Sequence, residues 1–400
     1  MRFCSVLLLP IFLKAVASSI MDSKTLSSSI AKFSAKFCNE LDKSTSVVSS
    51  PLSAEYILAL VALGCEGPAH EEILQSLGFP EDNAIRSSFS SMSSQLKSIK
   101  GITLNVANRV YIQDGGYKLN SALESDAVKV FDAGLKIIDF GSGGAAQEIN
   151  KWVESKTNER IKDLLTSDSV NSDTRLVLVN ALYFKGSWLK PFHKMMTYDR
   201  PFFLDESTTV DIPMMNAKDD FFYGESKDLG VQYLKMQYEG EEASMLVVLP
   251  SKVDGLNDVI KKLADGYDLL ADVETLEETK VDVTIPKFKI ETEIDLMDVL
   301  PKLGIKTIFE PANSGLTRML DSEEKLFVSK GVQKAFIEVN EEGAEAAAAS
   351  VGVVRTRRSL NPPPPIFEAT REALWCVFIK DQMAFVARYK PERTQLRTEL

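Results

Sequence analysis

The sequence predicts a single large α+β domain. Apolar residues recur at helical spacing through most of the first half of the 400-residue chain, whereas alternating or wholly apolar segments typical of strands dominate the second half. No linker rich in Gly, Pro or Ser and no break in charge separates the two halves. Helices followed by strands without a linker indicate one α+β unit rather than two or three domains.

Periodicity places each element along the chain. Helices are predicted where apolar residues recur every three or four positions, at residues 27–42, 49–64, 68–77, 85–99, 121–130, 145–165, 256–264 and 294–303. Strands are predicted where residues alternate or form a short apolar run, at residues 102–112, 135–140, 175–184, 201–204, 231–238, 245–249, 281–290 and 327–339, with a closing hairpin through Asp381-Gln382 within 375–389. The segment 175–184 is so apolar that we expect it at the centre of a sheet.

The net charge limits the partners of the chain. It has 46 Lys and Arg against 57 Asp and Glu, which gives −11 at pH 7. General binding to nucleic acid depends on clustered cations. We therefore expect no nucleic-acid partner.

The first 20 residues have the features of a secretory signal peptide. Arg2 precedes an apolar run at residues 3–13, and Ala15 and Ala17 form a small-residue cleavage pattern. The run is too short to span a bilayer. We predict a signal peptide at 1–20 and a secreted, extracellular domain at 21–400. The rival interpretation is an ordinary N-terminal tail ahead of a fold that starts at Met21.

Motifs for catalysis or metal binding are missing from the sequence. Neither His70 nor His193 lies in an HExxH motif, and there is no GxSxG elbow and no CxxC pair. Cys38, Cys65 and Cys376, the cysteines outside the predicted signal peptide, fit no metal spacing and allow at most one disulfide. We expect them to be small apolar side chains in or near the core. The chain is therefore predicted to be no enzyme and to bind no metal and no cofactor.

Residues 340–365 combine incompatible local preferences. The alanine-rich run 344–350 favours helix, and the valines of 351–354 favour extended backbone. A basic cluster follows at 355–358, and the four prolines of 362–365 carry no amide donors. Such a conflict suggests a segment that has more than one conformation or that meets a partner.

Several segments resemble the serpin family, in its order and near its spacing, and together they cover essentially residues 21–391. They are SSPLS at 49–53, NALYFKGSWLKPF at 180–192, MMN at 214–216, VTIPKFKIE at 283–291 and VSKGVQKAFIEVNEEGAEAAAAS at 328–350. The resemblance implies a serpin fold, a single large domain with three β-sheets, eight or nine helices and an exposed reactive loop near the carboxyl terminus. In this chain the loop corresponds to about residues 341–361.

The resemblance also implies suicide inhibition of a serine protease. The protease attacks the loop and forms an acyl-enzyme, and the cleaved loop then inserts as a new central strand of the largest sheet and distorts the protease. Alternate hinge residues share one face of a strand, and they are small enough to enter a closed sheet. A short surface helix is the alternative for this run, but it leaves the surrounding resemblance unexplained. The hinge corresponds to Glu341, Gly343, Ala344, Glu345, Ala346, Ala347, Ala348, Ala349 and Ser350.

The loop carries the candidate reactive bond. A span of about seventeen residues from Glu341, usual in the family, gives Arg357-Arg358, with Arg358-Ser359 as the next candidate. Arginine suits the acidic pocket of a trypsin-like protease, so we predict that class as the target. RTRR at 355–358 also has the RxRR form that furin-like proprotein convertases cleave. Two further interpretations remain. In one, the protein is a serpin fold that only binds, and the loop is an ordinary proteolytic site. In the other, RTRR is a solvated basic patch without a target.

Four residues correspond to the region that controls opening of the largest sheet in the family: Ser50, Ser53, Asn180 and Gln333. Gln333 stands where the family often has a histidine. Glutamine donates and accepts hydrogen bonds but does not titrate. We therefore expect sheet opening to depend less on pH than in members with histidine.

The family resemblance also sets expectations for partners. It implies a covalent complex with the target protease, and we expect a monomer otherwise. Heparin acceleration occurs in the family, but residues 85–100 carry only Arg86, Lys97 and Lys100, and heparin binding needs a clustered basic face. We expect no heparin binding.

Overall fold

The computed structural model describes residues 21–342 and 363–392. Within these residues the α-helices are α1 (Ser23–Asn39), α2 (Pro51–Leu63), α3 (Pro68–Leu77), α4 (Asp82–Lys97), α5 (Ser121–Lys129), α6 (Ala145–Lys156), α7 (Leu256–Ala264), α8 (Leu269–Val273) and α9 (Leu296–Val299). The strands are β1 (Val47–Ser49), β2 (Ile102–Gln113), β3 (Gly134–Ile138), β4 (Leu176–Gly186), β5 (Thr197–Phe203), β6 (Thr209–Ser226), β7 (Val231–Gln237), β8 (Ala243–Pro250), β9 (Glu277–Pro286), β10 (Phe288–Asp295), β11 (Val328–Val339), β12 (Ile366–Glu368), β13 (Leu374–Ile379) and β14 (Gln382–Arg388).

A five-stranded sheet runs in the order β10-β11-β4-β2-β3. Its central strand, β4, is buried along almost its whole length, which confirms the position predicted from its apolar sequence. β4 pairs with β2 in antiparallel fashion and with β11 in parallel fashion. The parallel pair β4–β11 therefore lies at the middle of this sheet.

The second sheet has nine strands and contains the long strand β6. It runs in the order β1-β14-β13-β8-β7-β6-β9-β12, and β5 pairs with β6 beside this path. The first half of β6 pairs with β5, and its last residues pair with β7. Hydrogen bonds thus run continuously through strands that the family resemblance counts as two separate sheets.

Helix α2 is the most deeply buried helix of the described chain. All 13 of its residues are buried, from Pro51 to Leu63. Pro51 provides the preorganised first turn, and the Ser50 side chain caps the helix by accepting a hydrogen bond from the backbone amide of Ser53. The helix packs against α1, α3, β14 and β2, so it links the helical layer to both sheets.

Three element predictions were wrong in detail. The predicted helix 145–165 ends at Lys156, because Asn158, Glu159 and Asp163 adopt positive φ, a left-handed conformation that interrupts a helix. The predicted strand 281–290 is two strands that break at Lys287 and enter different sheets. Of the predicted helix 294–303, only α9 is α-helical, and a 3-10 turn follows it.

Strand β6 was missed altogether by the pattern analysis. Its 18 residues mix buried, half-buried and exposed positions without a steady alternation, because its two halves lie against different neighbours. A strand whose surroundings change along its length loses the period of two on which a sequence prediction depends.

The three cysteines of the described residues are free thiols in the core. Cys38, Cys65 and Cys376 are all buried and unbonded to one another, as predicted for small apolar side chains of the core. Burial raises the pKa of Cys38 to about 12 and also raises the pKa values of the other two. Such thiols are chemically inert under ordinary conditions.

Glu55 is the most unusual side chain in α2. It has no exposed surface, and neither carboxyl oxygen has a hydrogen-bond partner among the described residues. Burial raises the pKa of Glu55 well above its ordinary value. The folded protein therefore favours the protonated carboxyl, whereas the unfolded chain releases the proton near pH 4.3, roughly the ordinary value for Glu.

A Glu55→Gln substitution tests this linkage. Because the folded pKa of Glu55 is raised, the contribution of its neutral carboxyl to the free energy of unfolding is fully present below the unfolded pKa. This contribution is lost as pH rises through the folded pKa. At pH 8 we expect the variant to melt roughly 2–5 °C above the original protein, with a smaller difference at pH 5. Melting curves across this range measure it, with exposed Glu310→Gln as the control. A difference that is constant with pH would contradict the assignment.

Candidate functional site

The candidate site lies along the contact between β4 and β11. The two strands are neighbours in space but are separated by more than 140 residues in the chain. Their parallel ladder places Val332 beside Val179 and Gln333 beside Asn180. No hairpin joins them, since parallel neighbours require a long crossover. The strands can therefore separate without disrupting a tight turn.

Gln333 joins β11 to the start of α2. Its amide nitrogen donates to the Ser50 carbonyl at 2.9 Å and to Asn180 Oδ1 at 2.6 Å, and its amide oxygen accepts from the Ser50 backbone amide at 2.9 Å. Ser50 Oγ donates to the Ala384 carbonyl of β14 at 2.6 Å. Gln333, Asn180 and Ser50 are all buried, so each of these bonds replaces one that water would otherwise make.

Asn108 completes the network and was not predicted. It lies on β2 directly opposite Asn180, which in turn lies opposite Gln333. Three amide side chains therefore form a row across three strands. Asn108 Oδ1 accepts from Asn180 Nδ2 and from Ser53 Oγ, and Asn180 Nδ2 also donates to Ser53 Oγ at 2.6 Å. We call these five residues, Ser50, Ser53, Asn108, Asn180 and Gln333, the amide network.

A signal for Asn108 was present in the sequence. In the alternation of residues 102–112 it occupies a position of the same phase as Leu104 and Val110. A polar residue at an apolar position of a strand indicates a buried group that needs a partner. The structure brings the four predicted residues Ser50, Ser53, Asn180 and Gln333 together.

Glu341 follows the end of β11 by two residues, and the described segment ends at the next residue, Glu342. Its carboxylate accepts from Lys287 Nζ at 2.9 Å and from Thr197 Oγ1 at 2.8 Å. Burial raises the pKa of Glu341, but these hydrogen bonds outweigh burial, and the pKa lies below its ordinary value. Glu341 is therefore held as a carboxylate that is almost completely buried.

The backbone around Glu341 is also held to the end of β4. Trp188 Nε1 donates to the Asn340 carbonyl at 2.8 Å, and the Phe192 backbone amide donates to the Glu341 carbonyl at 2.8 Å. Lys194 pairs with Glu342 at the surface. Sequence reasoning missed Lys287, Thr197 and Trp188, because the contacts join segments about 50 to 150 residues away.

The remaining predicted site residues lie outside the described residues. These are Gly343, Ala344, Glu345, Ala346, Ala347, Ala348, Ala349 and Ser350 of the hinge, and Arg357, Arg358 and Ser359 of the candidate reactive bonds. In the part of the chain that is described, no group of three or more His, Cys, Asp or Glu side chains is placed to hold a metal ion. Over the same residues, no helix combines the length and apolar character needed to cross a membrane.

Comparison with known proteins defines the class. The family model "Serpin (serine protease inhibitor)" matches residues 28–384. The chain therefore belongs to the serpin family of serine protease inhibitors, which confirms the resemblance drawn from its sequence motifs.

Individual relatives agree with this assignment. Antitrypsin of Bombyx mori is 40% identical over 383 residues, covering 94% of this chain and 97% of that protein. Antichymotrypsin-2 of Bombyx mori is 42% identical over 351 residues, covering 87% and 93%. The structure of Serpin48 from Tenebrio molitor aligns with a TM-score of 0.83 at 29% identity, covering 93% of this chain and all of that one.

A Gln333→His substitution tests how the amide network responds to pH. Neutral imidazole can accept a hydrogen bond from the Ser50 amide, but imidazolium cannot. Burial lowers a histidine pKa, so we expect the variant to lose stability, and to change its rate of sheet opening, as pH falls below about 6. Gln333→Met should lose about 1–3 kcal/mol at every pH. Melting curves from pH 5 to 8 measure both effects, and identical pH profiles for Gln333→His and the original protein would refute the prediction.

Proposed function

We propose that this serpin is a secreted suicide inhibitor of trypsin-like serine proteases. The observation that carries the proposal is the geometry of the β4–β11 contact. β11 leads through Glu341 directly into the small residues of the hinge. A chain that reverses at Glu341 can return along β11 and enter between it and β4.

The insertion has a physical driving force. β4 and β11 run parallel, so a strand that returns from the end of β11 is antiparallel to both. One parallel contact is exchanged for two antiparallel ladders, which are somewhat more stable per residue. The free energy released by this exchange supports irreversible trapping.

The amide network lies at the depth that the hinge reaches. If Glu341 and Glu342 form a two-residue turn, antiparallel pairing places Ser350 opposite Gln333. Insertion of the whole hinge then requires the Gln333–Asn180 hydrogen bond to break. The hinge from Gly343 to Ser350 thus has the length needed to reach the residues that hold the sheet closed.

Trapping requires one covalent step. The serine hydroxyl oxygen of the protease adds to the carbonyl carbon of Arg357 and gives up its proton. The bond to the Arg358 nitrogen breaks, and that nitrogen takes the serine proton and leaves as the amine of the downstream segment. The ester between protease and Arg357 persists when insertion distorts the protease before water can hydrolyse it. Arg358 and Ser359 take the corresponding roles if cleavage falls one residue later.

The target class is set by the loop rather than by overall similarity. Relatives named for trypsin and for chymotrypsin are almost equally identical to this chain, so similarity does not select between them. An arginine before the scissile bond favours a trypsin-like enzyme with an acidic pocket. The second candidate target is a furin-like convertase, favoured by Arg355-Thr356-Arg357-Arg358.

The apolar run and small-residue site at the amino terminus support removal of a signal peptide and export of residues 21–400. Export would bring the inhibitor to extracellular proteases. The partner is the protease itself, in a covalent complex, and we propose a monomer in its absence. Because the cations of α4 are scattered rather than clustered, we propose that inhibition does not depend on heparin.

A protease panel tests the function. The protein is incubated with trypsin-like, chymotrypsin-like and convertase enzymes, and complexes that survive a denaturing gel are counted. We expect a stable complex with a trypsin-like enzyme. In Arg357→Ala the complex should be lost, or its rate of formation should fall by at least about tenfold, because the buried guanidinium contact disappears. Arg358→Ala is the matched control for the position of the bond.

The mass of the released carboxyl-terminal peptide identifies the bond directly. A peptide that begins at Arg358 supports the Arg357 assignment, and one that begins at Ser359 supports the later bond. A stable complex with the convertase alone would replace the trypsin-like target. Cleavage without a stable complex with any enzyme would contradict inhibition and favour a serpin fold that only binds.

A further inference from the structure

Exposed apolar side chains concentrate in one segment of the chain, residues 189–203. Among the described residues, eight large hydrophobic side chains are exposed, and five of them lie between Leu189 and Phe203. A sixth, Ile366, lies on β12. Single exposed apolar residues are ordinary, whereas a concentration of them marks an interaction surface.

Three of these side chains lie within four consecutive residues of the chain. Met195 and Met196 belong to a single 3-10 turn before β5, and they are 75% and 41% exposed. Tyr198 is 48% exposed, and its hydroxyl contacts the Met196 sulfur at 3.5 Å. Methionine adapts its shape to different partners, and tyrosine is common at binding surfaces. We call Met195, Met196 and Tyr198 the loop-end patch, since they adjoin Lys194 and Thr197, which contact Glu342 and Glu341 where the described segment ends.

β5 connects the two points where the reactive loop attaches. At its first residue, Thr197 binds Glu341, just before the chain leaves the described part at Glu342. At its last residue, the Phe203 amide donates to the Thr370 carbonyl at 2.8 Å, soon after the chain re-enters at Pro363. β5 pairs with β6 alone among the described strands. A protease that attacks residues between these two attachments therefore approaches β5.

We propose that the loop-end patch is a second contact surface for the target protease, outside the reactive loop. The inference rests on the proposed function, because it requires a protease to bind the loop. The partner surface is apolar and lies beside the active-site cleft of that protease. Burial of two methionines and a tyrosine strengthens the encounter complex before any bond is cut, and so adds selectivity that the loop sequence alone does not carry.

The test is binding to a protease whose active-site serine has been replaced by alanine, which forms the encounter complex without cleavage. The Met195→Ser/Met196→Ser double variant is expected to bind roughly tenfold more weakly than the original protein. Tyr198→Ser should weaken binding in the same direction. Val128→Ser is the matched control, because Val128 is 63% exposed and lies on α5.

Each outcome bears on one of the two proposals. Equal dissociation constants for the double variant, Val128→Ser and the original protein would overturn the second contact surface, even if all three trap active protease. Absence of any trapped complex with the original protein would instead overturn the proposed function. If the double variant differs only in reduced self-association by light scattering, the patch binds a second copy of the chain. If it differs only in a lower melting temperature, the patch packs against the chain's own loop. Either result would make the proposal wrong.

Discussion

The structure depends on one interaction, the hydrogen bond between Gln333 and Asn180 across two parallel strands. It is buried and lies in the middle of a sheet, and Ser50 ties it to the most deeply buried helix of the described chain. Removing a partner from such a network leaves several polar groups without hydrogen bonds. The β4–β11 contact is therefore held by its backbone ladder and by this buried network, with no connecting turn between the two strands.

The end of β11 is secured by a different kind of contact. Glu341 is a buried carboxylate whose charge is balanced by Lys287, and Trp188 and Phe192 fix the backbone beside it. A buried charge without its partner is strongly unfavourable. Glu341 thus anchors the chain just after β11, whereas the amide network joins β11 to β4 in the middle of the sheet.

Much of the fold could be predicted from the sequence, since segments such as α3 and β2 keep a regular apolar period over their whole length. The predictions failed where the environment changes along a segment, as in β6, or where backbone conformation interrupts an apolar pattern, as after Lys156. The same distinction holds for the site. Four members of the amide network followed from the family resemblance. Asn108 could have been predicted as a fifth, because it is a polar residue at an apolar position in the alternation of residues 102–112. Lys287 and Thr197 could not be inferred, because their role comes from distant segments that meet only in the folded chain.

The central claim is that β4 and β11 must separate for a protease to be trapped. A disulfide between Val179→Cys and Val332→Cys, which lie directly opposite each other, would join the strands within the span that a disulfide bridges. The native cysteines of the described residues form no disulfide, so a count of free thiols in the denatured chain that falls by two on oxidation verifies the new bond. The account predicts that the oxidised variant is cleaved in its loop but forms no stable complex, and that prior reduction restores the complex. Trapping by the oxidised variant at the original rate would contradict it.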